Sequence, residues 1–197
     1  MPDATRYDER TALIVVDVQN DFADPDGSLY VRDGERVVPV INREIQRARA
    51  AGALVVYTRD WHPPRTPHFK PFGGVWPVHC VRDTWGAAFH PGLDVDGVQI
   101  QKAVGDEDGY SGFSVTDLPS GERRSTPLEA ILRQHDIARA VVVGLATDYC
   151  VKDTALDAQR LGFDTVVLRD AVRAVDLAAG DGARALDELT AAGVAVT

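Results

Sequence analysis

The chain has 197 residues, 45% hydrophobic and 26% charged, which suits one domain with a sizeable core and is short for two. Its net charge of -9 argues against a nucleic-acid surface, whose affinity rests on Lys and Arg neutralising phosphates. No apolar run approaches a membrane span, the opening stretch "MPDATRYDER" carries no apolar signal core, and two cysteines make no disulfide framework, so a reduced, cytoplasmic protein with no membrane partner is expected.

In chain order, residues 1–10 read as a polar tail ahead of one domain over 11–197. The run "TALIVVDV" (11–18) is continuous and Val-rich, the pattern of a strand covered on both faces. "ERVVPVINREIQRARAAG" (35–52) places apolar residues at helical spacing and ends at Gly52, a C-cap signal. "ALVVYTR" (53–59) is a second buried strand. Residues 57–127 are loop-rich and hold all three tryptophans, too aromatic for a disordered linker; within them "GVQIQK" (97–102) reads as a strand. "TPLEAILRQH" (126–135) predicts a helix with Thr126 as N-cap, Pro127 at the first position and Glu129 completing a capping box. Then strand "RAVVVGLA" (139–146), helix 147–162, strand "DTVVLRD" (164–170), helix 180–193 and a last short strand "GVAVT" (193–197) follow. Strands alternating with helices predict a single-domain, doubly wound, Rossmann-like α/β fold, with a mostly parallel six-stranded sheet and helices on both faces.

In such sheets ligands bind outside the carboxyl ends of the strands. Asp17, Asp60, Lys102 and Cys150 all fall there. Asp170 does too, and reads as a turn or capping carboxylate. Cys150 sits in the first turn of a helix, where free N–H groups and a nearby cation favour a thiolate; taken alone, a cysteine is more often a small buried hydrophobe. Lys102 ends an apolar strand, although lysine is seldom buried unpaired and can snorkel to the rim. Asp17 has the same position, with a strand-end turn or a cap as its plain alternative. Together the three suit a thiolate nucleophile, a carboxylate that takes its proton and returns it to a leaving amine, and a lysine that holds negative charge.

"LIVVDVQNDF", "QKAVGDEDGYSGF" and "VVVGLATDYCVKDTALDA" resemble, in order, the isochorismatase-like cysteine hydrolases, whose triad is Asp, Lys and Cys. The resemblance runs from about residue 11 to about residue 175. It implies a cis peptide between Leu145 and Ala146, and an oxyanion hole built by the N–H groups of Ala146 and Cys150.

The loop "YTRDWHPPRTPHF" (57–69) sets Asp60, His62 and His68 on a backbone broken by three prolines, through which no helix can run. Asp and His suit a divalent first-row metal, and "WPVHC" (76–80) offers His79 as a fourth ligand. Cys80 is an alternative ligand read as a spectator, and His90 and His135 read as structural or surface residues. The plain alternative is three histidines that merely share loops. The same four residues match the metal ligands of the nicotinamidase branch, which separates it from superfamily members that run on the triad alone. That resemblance implies one divalent ion, zinc first with iron and manganese also compatible, holding the ring nitrogen of an aromatic amide. It also implies that Phe22 and Trp76 sandwich the flat ring, with Tyr110 either lining the pocket or simply packing. The expected reaction is nicotinamide hydrolysis to nicotinate and ammonia through a Cys150 thioester. Rival readings are another small-amide hydrolase of the superfamily and a catalytically silent binding protein; homo-oligomers occur among relatives. The loop after Lys102, "DEDG" (106–109), departs from expectation by being acidic beside the pocket.

Overall fold

The computed structural model describes residues 6–197. Residues 1–5 of the expected tail lie outside the described residues. From Tyr7 the chain is packed, with the ring buried and the hydroxyl donating to Glu44 Oε2 at 3.0 Å.

The elements follow in order: β1 (Thr11–Val16), a short α1 (Asn20–Ala23), α2 (Val37–Ala50), β2 (Leu54–Asp60) and β3 (Val98–Lys102). Next come β4 (Glu107–Asp108), β5 (Ser114–Asp117), β6 (Arg123–Ser125) and α3 (Leu128–Gln134). The last third is β7 (Arg139–Leu145), a π-helical turn (Thr147–Val151), α4 (Lys152–Arg160), β8 (Asp164–Arg173), α5 (Asp181–Ala191) and β9 (Ala195–Val196).

Six strands form one parallel sheet in the order β3-β2-β1-β7-β8-β9. Alternation along β1 shows why its run is apolar throughout. Leu13 and Val15 join a core with Ile41 and Ile45 of α2, while Ala12, Ile14 and Val16 face Leu132 of α3, Ala155 of α4 and Leu189 of α5. Each such Leu or Ile contributes about 1.5–3 kcal/mol by leaving water. The order of strand addition reverses between the parallel neighbours β1 and β7, so the crevice outside their carboxyl ends is where a ligand fits. Gly144 allows β7 to close on β1 there: at φ 116 its added Cβ would lie 2.0 Å from the Val16 carbonyl oxygen.

Some local expectations are corrected. At α3, Leu128 N–H does donate to Thr126 Oγ1 at 3.2 Å. Glu129 instead pairs forward with Arg133 at 3.4 Å, the Thr126 N–H goes to the Phe113 carbonyl, and the helix starts at Leu128 with Pro127 at the N-cap, so the expected capping box does not form. Asp170 is not in a turn, because β8 continues through Arg173 and leaves its side chain exposed on the strand. The loop-rich zone also folds a small antiparallel sheet, β4-β5-β6, whose strands of two to four residues show no apolar alternation. Among the described residues, no helix is long and apolar enough to cross a membrane.

Candidate active site and metal cluster

Asp17 lies just past β1, at φ 49, an uncommon conformation for a residue with a side chain. Its N–H is held by the Thr58 carbonyl at 3.1 Å, and its Oδ1 accepts from Thr58 Oγ1 at 2.7 Å. The other oxygen, Oδ2, lies 2.8 Å from Lys102 Nζ without an aligned hydrogen bond from it. Lys102 ends β3 and is buried; it donates to Asp60 Oδ1 at 2.5 Å and to the Gly109 carbonyl, and lies 3.7 Å from Cys150 Sγ. Ligand atoms of Asp17, Asp60 and Cys150 gather within 4.8 Å of one another. The structure therefore brings together the three residues read as a triad, and adds Asp60 to them.

Electrostatics follow from that addition. Burial raises the Asp17 carboxyl to about 6, against the pull of Lys102. Burial alone would lower Lys102, but Asp17 and Asp60 outweigh it and hold the ammonium well above its usual value. Burial also disfavours the Asp60 carboxylate, yet Lys102, His62 and His79 together bring it below the ordinary range. The thiolate expected at Cys150 is corrected: burial pushes the thiol well up, and the Lys102 charge that would lower it is offset by two carboxylates. Cys150 thus rests as a thiol beside Asp17, in a cluster that is already net anionic.

The proline-broken loop brings its histidines to the same crevice. Ring nitrogens of His62, His68 and His79 lie within 4.8 Å of one another, and all three rings are buried. Both nitrogens of His62 lack a hydrogen-bond partner, although the ring is only 1% exposed. Such orphaned donors and acceptors are costly unless something else satisfies them. Burial lowers His62 to about 3 and lowers His79, so both offer neutral lone pairs. His79 Nδ1–H donates to the Pro77 carbonyl at 2.8 Å, which leaves Nε2 for the cluster; His68 Nδ1 contacts Asp108 Oδ1. Asp60 Oδ2 lies 3.9 Å from His62 Nε2, beside the three rings. This donor set fits a divalent cation of the N/O-preferring kind.

Both halves open on one cavity, lined among others by Phe22, Asp60, His62, His68, Trp76, His79, Tyr110, Ala146 and Cys150. The peptide between Leu145 and Ala146 is cis. Trp76 Nε1 donates to Tyr110 OH at 2.7 Å, which fixes the two rings to one another. Cys80 is buried, its N–H held by Asp21 Oδ2 at 2.7 Å, and it lies outside the histidine cluster. His90 Nδ1 accepts from Gly92 N–H at 3.1 Å, and exposed His135 ends α3, both away from the cavity.

Four contributors were not foreseen. Tyr149 lines the cavity and packs its ring edge-on to Trp76 at 4.9 Å. Gln19 clamps the backbone of Asp60, accepting its N–H and donating to its carbonyl, each at 2.8 Å. Thr58 and Asp108 hold Asp17 and His68 as described. None of the four is marked by a local sequence pattern, because each acts on a residue distant in the chain.

The Isochorismatase domain family matches residues 11–197. A nicotinamidase of Escherichia coli (strain K12) is 38% identical over 200 residues, covering 92% of each chain. The structure of a pyrazinamidase of Pyrococcus horikoshii in complex with zinc is 43% identical, with a TM-score of 0.84 over 95% of this chain and 98% of its own. That of PnC1 from L. infantum in complex with nicotinate is 36% identical, with a TM-score of 0.87 over 97% and 94%. Sequence, fold and the order of the motifs agree along nearly the whole chain, which belongs to the isochorismatase family.

Proposed function

We propose that this chain hydrolyses nicotinamide to nicotinate and ammonia, with Asp17, Lys102 and Cys150 as the catalytic residues. The observation that carries the reading is the shared cavity, with a histidine cluster and Asp60 beside a buried thiol that is backed by a carboxylate and an ammonium. The relatives named as nicotinamidase, and the nicotinate bound by the L. infantum PnC1, support the choice of substrate.

Asp60, His62, His68 and His79 would hold one divalent ion, and the zinc in the P. horikoshii relative supports zinc ahead of iron or manganese. When bound, the ion supplies a ligand position for the pyridine nitrogen and so orients the ring. Phe22, Trp76 and Tyr110 flank the ring and exclude water. The Cys150 thiol attacks the carboxamide carbon as Asp17 Oδ2 takes its proton. The Ala146 and Cys150 N–H groups receive the oxyanion. Asp17 returns the proton to the amine, ammonia leaves, and a thioester remains on Cys150. Asp17 then takes a proton from water, which attacks the thioester carbon; the C–S bond breaks, Asp17 returns the proton to the Cys150 sulfur, and nicotinate departs. Lys102 keeps its charge throughout and holds Asp17 and Asp60 in place. The acidic balance of the chain supports a small-molecule partner rather than nucleic acid.

Steady ammonia release from nicotinamide by zinc-loaded protein is the expected result. Folded, zinc-loaded protein that releases none would sink this reading and direct the search to other small amides, or to ligand capture without turnover.

A further inference from the structure

The acidic stretch after Lys102 splits three ways. Asp106 is exposed. Glu107 is buried, within 3.6 Å of Arg124 and accepting the Gly105 N–H at 2.5 Å. Asp108 is half-buried, with Oδ1 against Nδ1 of His68. Pairing of β4 with β5 sets Asp108 opposite Thr116 and fixes the backbone there. His68 lines the active cavity and Asp108 does not; Asp108 lines a neighbouring cavity and so reaches the ring from behind. The next residue, Gly109, gives its carbonyl to Lys102 Nζ.

Among the described residues, the three histidines of the cluster are held unequally. His79 rests on a neutral carbonyl, His62 has no partner, and His68 has a carboxylate. A carboxylate that accepts Nδ1–H fixes the tautomer whose Nε2 lone pair faces the cluster, and makes that nitrogen a better donor to a metal. The charge matters as well. Asp60 brings one carboxylate beside His62, and its Oδ1 is already engaged by Lys102. Imidazoles that ligate a metal do so in their neutral form and add no charge.

We propose that Asp108 is the positioning carboxylate of the metal half of the site, orienting His68 and supplying a second negative charge toward the bound cation. This rests on the metal reading given under Proposed function. The residue acts through His68 and is not itself a ligand.

The test is equilibrium zinc affinity, by competition with a chromophoric chelator, for the parent chain, Asp108→Asn and Asp108→Ala. The alkylation rate of Cys150 by iodoacetamide in the metal-free proteins reports on the triad half. Asp108→Ala should weaken zinc binding by roughly tenfold to a hundredfold. Asp108→Asn should lie between it and the parent, because its amide oxygen still accepts from Nδ1–H without the charge. Alkylation should stay at the parent rate in both. Unchanged zinc affinity in both variants overturns the proposal. So does alkylation that changes in step with affinity, which would mark general loosening of β4. If Asp108→Ala does not fold, Asp108→Asn alone decides by its affinity. A parent chain that binds no zinc fails the metal reading itself, which separates that failure from this one.

Discussion

Lys102 Nζ donates to Asp60 Oδ1 at 2.5 Å, so the lysine of the proposed triad and a carboxylate of the proposed metal site are joined directly. The two halves of the cavity are therefore one electrostatic unit. Lys102 also lies 2.8 Å from Asp17, and all three side chains are buried.

Removing the lysine should accordingly be a stability change before it is a catalytic one. Lys102→Ala leaves two carboxylates buried without their cation, and breaking such a pair costs roughly 3–5 kcal/mol. Urea unfolding at neutral pH checks this. An unchanged midpoint and slope would mean that the carboxylates are hydrated, against the packing described.

The acid side of the pH profile reports Asp17. The base must be ionised to take the thiol proton, and its carboxyl is raised to about 6. kcat/KM should therefore fall roughly tenfold per pH unit below that value and level off above it. Thr58 Oγ1 donates to the ionised carboxylate, which favours the charged form. Thr58→Val removes that bond, so the limb should move to higher pH; a shift to lower pH or none would contradict the assignment of Asp17 as base.

Metal binding should appear as stability. A ligand that binds only the folded state raises Tm with concentration, by RT ln(1 + [L]/Kd) in free energy. Zinc should raise the Tm of the parent, and His62→Ala should abolish the rise, since both nitrogens of that ring are unpartnered in the cluster. Chelation should raise KM for nicotinamide more than it lowers kcat. A Tm response that survives His62→Ala would place the ion elsewhere.

The aromatic wall should act on binding. Trp76 lines the cavity and is tied to Tyr110 by its Nε1–H. Ring contacts of this kind are worth about 0.5–1.5 kcal/mol, so Trp76→Ala should raise KM severalfold to about tenfold. Trp76→Phe keeps most of the face and should cost less. Equal effects of the two would shift the role from the ring to the indole N–H.

Why some of this could be read from the chain and some could not is a matter of range. Continuous apolar runs report burial on both faces, so the six-stranded parallel sheet and its helices were legible. Chemistry-bearing residues at strand ends were legible too, because the topology fixes where those ends converge; Asp17, Lys102 and Cys150 meet for that reason. Thr58, Gln19 and Asp108 act through register and reach, to Asp17, to the Asp60 backbone and to His68, and no local pattern encodes those pairings. β4 to β6 are too short and too charged to stand out. The protonation of Cys150 was misread for a related reason. A nearby cation suggests a thiolate, but burial of the sulfur raises the thiol, and Asp17 and Asp60 offset the Lys102 ammonium; the depth of that burial is set by the fold.

The central claim is that Cys150 is the nucleophile of an amide hydrolase. Ammonia release from nicotinamide by Cys150→Ala, loaded with zinc to the parent stoichiometry, tests it most directly. The account predicts a loss of at least about 10⁴-fold in kcat, with zinc content retained. Turnover near that of the parent would show that the reaction does not pass through a thioester on Cys150.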